Sequence, residues 1–245
     1  PYTTLFRSGV TLGGTGYNVP NTIFTDGSLS AASLTLQGRG INNGNYTPNP
    51  TLTLAVPTVS ITGDIAVGRA NLVVSSGTVT ADRITSAAAS SDWGRLVISG
   101  GTLTGAASKD LSIIQNNASG GLTISSTIAN NTSTSITKSG AGLLTLAGNN
   151  TFTGGLQIDG GTLAFSAANQ LGNSGTTVPN LNGGTLKYTG ASATSNRAFT
   201  INAGKTATID TANDISFAGA TGTATNGALT KIGNGKLTLT GVNTY

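Results

Sequence analysis

Residues Ile136–Leu163 read ITKSGAGLLTLAGNNTFTGGLQIDGGTL, and the first part of this stretch returns at Leu229–Tyr245 as LTKIGNGKLTLTGVNTY. With Ile136 set over Leu229, ten of seventeen positions are identical, among them Lys138/Lys231, Gly140/Gly233, Gly142/Gly235, Leu144/Leu237, Leu146/Leu239 and Asn150/Asn243. Phe152 and Tyr245 keep an aromatic at the last aligned position. Internal repetition constrains architecture before any single residue does.

Working outward, shorter echoes set the spacing. LVVSSGTVTA at Leu72–Ala81 and LVISGGTLTG at Leu96–Gly105 match at six of ten positions with an offset of 24, and GGTL recurs at Gly160–Leu163 and Gly183–Leu186 with an offset of 23. Each segment reads as strand, Gly-containing turn, strand. TLTLAV at Thr51–Val56 alternates with period two, which puts Leu52, Leu54 and Val56 on one face, and Pro57 ends that run. VSITGDIAV at Val59–Val67 repeats the pattern around an expected Gly63-Asp64 turn. A unit near 24 residues is too short for a strand–helix–strand crossover of about 30 or more. It suits one coil of a solenoid whose short strands pair in parallel with the coils above and below. The expected fold is therefore all-β, a parallel β-helix (β-solenoid) of about 23–24 residues per coil, roughly ten coils over 9–245.

Composition agrees. Charged residues make up only 8% of the 245, too few to cover helix surfaces, and Glu, His, Cys and Met are absent. Gly stands at 36 positions without a three-residue period, which excludes collagen. The net charge of +4 comes from twelve scattered cations, so no basic patch is offered to nucleic acid. No run of about 18 apolar residues offers a membrane-spanning helix. Pro1–Ser8, PYTTLFRS, matches codon for codon the translation of a common sequencing-adapter end, and 1–8 is set aside as an artefact. The remaining 9–245 is read as a single β-helix segment, cut at the front and, from the broken second repeat at 229–245, at the back.

At Ile136–Leu163 the order G-x-G-x-L-T-L-x-G-x-N-T-F-T-G-G-x-x-I-x-x-G-T-L resembles the autotransporter-associated β-strand repeat, also called the passenger-associated transport repeat. The resemblance implies a right-handed parallel β-helix in the passenger region of a secreted or surface-displayed bacterial protein. It further implies an outer-membrane β-barrel translocator as partner, support for export, and a stalk or adhesive surface whose glycan or protein ligand is unknown. Within the repeat, Leu144, Leu146, Leu237 and Leu239 are expected in the core with Thr145 and Thr238 outward. Gly140, Gly142, Gly154 and Gly155 are read as positive-φ turn positions, and Asn150 and Asn243 as corner amides closing or stacking turns. Lys138 and Lys231 are read as solvated, and Phe152 and Tyr245 as filling a corner.

Chemistry is scarce. Without His, Cys or Glu the chain lacks the parts of a nucleophilic triad, a His-based metal site or a Glu acid/base pair. Only eight Asp remain, and Asp210 and Asp214 form the closest pair, on one face if their segment is a continuous strand. Tyr46, Trp93 and this pair are the remaining candidate ligand positions, and each reads more simply as a loop aromatic or a solvated carboxylate. No catalytic, cofactor or metal residue is assigned. The reading is a non-catalytic structural segment. The alternatives are a fragment of a β-helix polysaccharide lyase or hydrolase whose catalytic coils lie elsewhere, or a repeat-rich surface protein without a barrel.

Overall fold

The computed structural model describes residues 10–12, 22–24, 28–36, 51–68, 71–86, 96–118, 120–219 and 227–243. The adapter-like 1–8, the Asn/Gly/Pro stretch with Tyr46, Trp93 and Tyr245 lie outside the described residues. Among the described residues every paired strand is parallel to its neighbours, and the strands form a β-solenoid in three sheets of twelve, ten and three strands. Among the described residues there is no α-helix; a single 3₁₀ turn spans Ala168–Leu171.

The coil of residues 143–165 shows the order of the three faces. Leu143–Leu146 lies in the ten-stranded sheet, residues 150–152 cross the second face, Leu156–Ile158 joins the twelve-stranded sheet, and Thr162–Phe165 returns to the ten-stranded one. Thr58–Val67 and Thr78–Ser86 bend from the second face into the third without a break, so the twelve-stranded sheet covers both faces there. In later coils the second face becomes the separate three-stranded sheet of Ala193–Ser195, Ile215–Phe217 and Leu237–Leu239.

The inward positions are those that alternation predicts. Leu52, Leu54 and Val56 are buried, as are Leu144 and Leu146, and Leu237 and Leu239 pack partly buried against the same core. Like stacks on like: Leu122 pairs with Leu144, Leu144 with Leu163, Leu163 with Leu186, and Leu186 with Ile209. Phe165 rests on Tyr188 at 5.2 Å, and Phe199 on Phe217 at 5.6 Å. These tilted and edge-on contacts are the favoured geometries of aromatic pairs.

The GGTL offset of 23 is the true register, since Leu163 pairs with Leu186. Coil length varies around it, from Leu144 beside Leu163, nineteen residues on, to Leu34 beside Ile65, thirty-one on. Two sequence expectations need correction. Val79 does pair with Leu103, an offset of 24, but Leu72 pairs with Ile98 rather than Leu96. A slip of two residues keeps the same side chains inward, so sequence similarity alone does not resolve it. Gly63-Asp64 is not a turn: Thr58–Val67 continues through it, with a register shift between Ile61 and Asp64 that bends the strand around the corner.

Replacing Leu144, sandwiched between Leu122 and Leu163, by Ala should lower stability by about 2–5 kcal/mol. The neighbouring outward Thr145→Ala should stay within about 0.5 kcal/mol. Urea unfolding midpoints of the two variants check the facing of this strand, and equal shifts would contradict it.

Candidate functional site

The described carboxylates are dispersed, and Asp64, Asp82, Asp159, Asp210 and Asp214 are engaged in joining coils. Arg83 Nε lies 3.4 Å from Asp64, which also accepts from Thr85 Oγ1 at 3.0 Å. Lys109 reaches Asp82 at 3.5 Å, and Lys187 reaches Asp210 at 2.5 Å. Asp159 Oδ1 accepts from Gln157 at 2.7 Å and from Asn182 at 2.8 Å; Asn182 Oδ1 in turn accepts from Asn202 at 2.9 Å, a ladder through three coils. Asp210 and Asp214 do not share a face. The strand Thr206–Thr211 ends between them, and Asp214 lies past a corner, where its Oδ1 accepts from the backbone N–H of Lys236 at 2.8 Å. Among the described residues no three acidic side chains gather into a cation-binding group.

The chemistry of interest lies instead at the repeat's K-x-G-x-G corner. Lys138 is not solvated. It has no exposed surface, and its Nζ donates to the carbonyls of Ser139 at 2.8 Å, Gly140 at 2.8 Å and Gly160 at 3.0 Å. Three acceptors match the three donors of an ammonium group. Two belong to its own turn and the third comes from the coil above. Desolvation by burial pushes this amine down from 10.5 to about 8, so at pH 7 it still carries its proton. Its facing could be read in sequence by parity: Ile136 is buried, and Lys138, two residues on in the same strand, must point the same way.

Lys231 repeats half of this arrangement. Its Nζ donates to the carbonyls of Ile232 at 2.7 Å and Gly233 at 2.8 Å, and the side chain is exposed. The two copies occupy different corners. Ser135–Ser139 and Leu143–Leu146 join the twelve-stranded to the ten-stranded sheet, whereas Ala228–Ile232 and Leu237–Leu239 join the ten-stranded to the three-stranded one. The motif therefore specifies a strand–turn–strand corner rather than a fixed place in the coil.

Of the four glycines expected at positive φ, only Gly140 has it, at 75°. Gly142 is required for a different reason, since a Cβ there would lie 2.3 Å from the carbonyl oxygen of Asn117 in the coil below. Gly154 is similarly crowded by Thr134, while a Cβ at Gly155 would meet nothing. Asn150 closes its corner as expected. It is buried, with Oδ1 accepting from Ile128 N at 2.8 Å and Nδ2 donating to Gln170 O at 2.5 Å, so one amide ties three coils. Phe152 is buried and fills the space beneath Gly172.

Arg197, which the sequence reading passed over, is a second buried cation held by carbonyls. It donates through Nε to Ala168 at 3.0 Å, through Nη1 to Asn173 at 3.3 Å and Thr177 at 2.8 Å, and through Nη2 to Gly172. It pins the 168–177 excursion against the rod, and burial lowers its basicity. The same parity signal was present, because Phe199 and Ile201 share its inward side.

Replacing Lys138 by Met should cost about 2–4 kcal/mol, because three partly buried carbonyls lose their donor. Lys231→Met should cost less than about 1 kcal/mol, its carbonyls being open to water. The folded-state value of Lys138 lies below the unfolded one, so the folded state binds fewer protons between pH 8 and 10.5. Wild-type stability should therefore rise through that window relative to Lys138→Met, measured by chemical unfolding at successive pH values.

The Passenger-associated-transport-repeat family matches residues 136–165 and 229–245. The Adhesin BmaC autotransporter of Brucella suis biovar 1 (strain 1330) is 33% identical over 264 residues, an alignment that spans 97% of this chain. The chain spans about 7% of the length of that relative. No solved structure matches. The shared repeat, the relative that aligns along nearly the whole chain and the parallel coils agree: the chain is a parallel β-solenoid that carries the passenger-associated transport repeat in two copies and is similar to part of an autotransporter adhesin.

Proposed function

We propose that this chain is a non-catalytic structural segment of the passenger of a secreted or surface-displayed bacterial autotransporter, which supports export and forms a stalk or adhesive surface. The observation that carries the reading is the continuous axial ladder of ten parallel strands, from Thr22–Phe24 to Ala228–Ile232, in a chain whose aligned relative is an autotransporter adhesin. A coil that folds on the coil already stacked needs no external energy source. It can therefore advance outside the cell and bias the movement of the chain still to be exported. The partner on this reading is an outer-membrane β-barrel translocator elsewhere in the full-length protein. The chain would then lie extracellular, at the cell surface. No helix among the described residues is long and apolar enough to cross a membrane.

The enzymatic alternative gains no support from the described carboxylates. Asp64, Asp82, Asp159 and Asp210 are each drawn into contacts that tie strands or coils together rather than converging on a shared cleft. Deleting residues 136–163 from the full-length gene should reduce surface display several-fold, read by flow cytometry of intact cells against total expression. Unchanged display would contradict a role in export.

A further inference from the structure

We propose that Lys138 is a register latch between two coils: its own turn holds two of its N–H groups, and the Gly160 carbonyl takes the third only when the Lys138 coil and the Leu156–Phe165 coil are docked in register. The two copies of the motif share the bonds that the turn makes by itself. In Lys231 the side chain curls onto the carbonyls of residues one and two positions on, at 2.7 and 2.8 Å, and its remaining N–H faces solvent. In Lys138 the same two bonds are present at 2.8 Å each, and the third N–H reaches Gly160, twenty-two residues on, at 3.0 Å. Two of the three bonds are thus made within one coil, and the third is made by the neighbouring coil.

The docking geometry at this corner is tight. Asp159 N donates to the Lys138 carbonyl at 2.9 Å, and Thr162 N donates to Gly142 O at 3.3 Å, so backbone bonds flank the latch on both sides. Gly161, at φ 60°, crosses directly over the corner below, and a Cβ on it would lie 2.4 Å from Gly140 O and 2.6 Å from Gly142 O. Only a coil seated at this depth brings the Gly160 carbonyl to the amine. A coil docked one residue out of register would bury the ammonium with an N–H unpaired, a costly state. The latch therefore favours correct register between the two coils, whichever of them is in place first. This is a property of the folding rod and holds whether or not the rod is adhesive.

The test is pulsed acetylation of the whole 245-residue chain with an N-hydroxysuccinimide ester, followed by mass spectrometry of the peptides carrying Lys138, Lys187 and Lys231. In the native protein Lys138 should react about 100-fold or more slowly than Lys231, as for a group exposed only by local opening. Its lowered basicity would by itself speed acylation, so slow labelling reports occlusion. With rising denaturant, Lys138 should become reactive together with amide exchange of Leu156–Ile158. Gly161→Val, which lifts the upper coil, should release Lys138 while Lys187 keeps its native rate. Native labelling of Lys138 at the Lys231 rate would overturn the proposal, as would protection that outlasts exchange at Leu156–Ile158. Should Gly161→Val fail to fold, the denaturant series on the wild-type chain decides alone.

Discussion

The hydrogen bonds that hold this protein together run along the rod, from each coil to the next, and every other feature follows from that direction. In the ladders each strand residue is paired with one 19 to 31 positions away in the next coil, so no coil is satisfied by itself. Axial pairing at about 4.8 Å forces each side chain to lie on its counterpart one coil below. That is why Leu stacks on Leu and Phe165 on Tyr188. It also explains why the three ion pairs among the described residues each bridge neighbouring coils, Asp64 to Arg83, Asp82 to Lys109 and Lys187 to Asp210.

The same constraint shapes the corners. Backbones there approach closely enough that Gly142 and Gly161 admit no side chain, and carbonyls converge that the sheets do not satisfy. Two buried cations, Lys138 and Arg197, answer this by donating to carbonyls rather than to carboxylates. A guanidinium or ammonium in such a cradle is multiply hydrogen-bonded and tied to local geometry, so it fixes the position of a turn as well as saturating it. The corner is a portable unit: the K-x-G-x-G motif works between the twelve- and ten-stranded sheets at Lys138 and between the ten- and three-stranded sheets at Lys231. A repeat that marks a corner rather than a coil need not recur at a whole number of coils.

Much of this was legible in the sequence because it depends on period two. The inward set at Leu52, Leu54 and Val56, the strand–turn–strand units and the 23-residue register of GGTL all follow from local alternation and internal echoes. What failed was non-local. Lys138 reads as solvated when charge is judged alone, because the Gly160 carbonyl that receives it belongs to another coil; the parity with Ile136 carried the correct answer. Asp210 and Asp214 share a face only on a continuous strand, and the corner at 212–214 separates them. The two-residue slip that sets Leu72 beside Ile98 leaves every facing unchanged and therefore leaves no trace in the pattern.

The corner assignment of the second repeat is the claim on which the stacking scheme most depends, and disulfide trapping measures it directly in a chain that has no native cysteine. Neighbouring positions in a parallel ladder lie within the Cα separation that a disulfide accepts, about 4.4–6.8 Å. Asp210 is paired with Ile232 in the ten-stranded sheet, so Asp210→Cys with Ile232→Cys should cross-link efficiently under mild oxidation. If the second copy occupied the corner of the first, Ile232 would lie instead beside Asn202, which follows Ile201 in the twelve-stranded sheet. Efficient cross-linking of Asn202→Cys with Ile232→Cys, and none with position 210, would contradict the structure described.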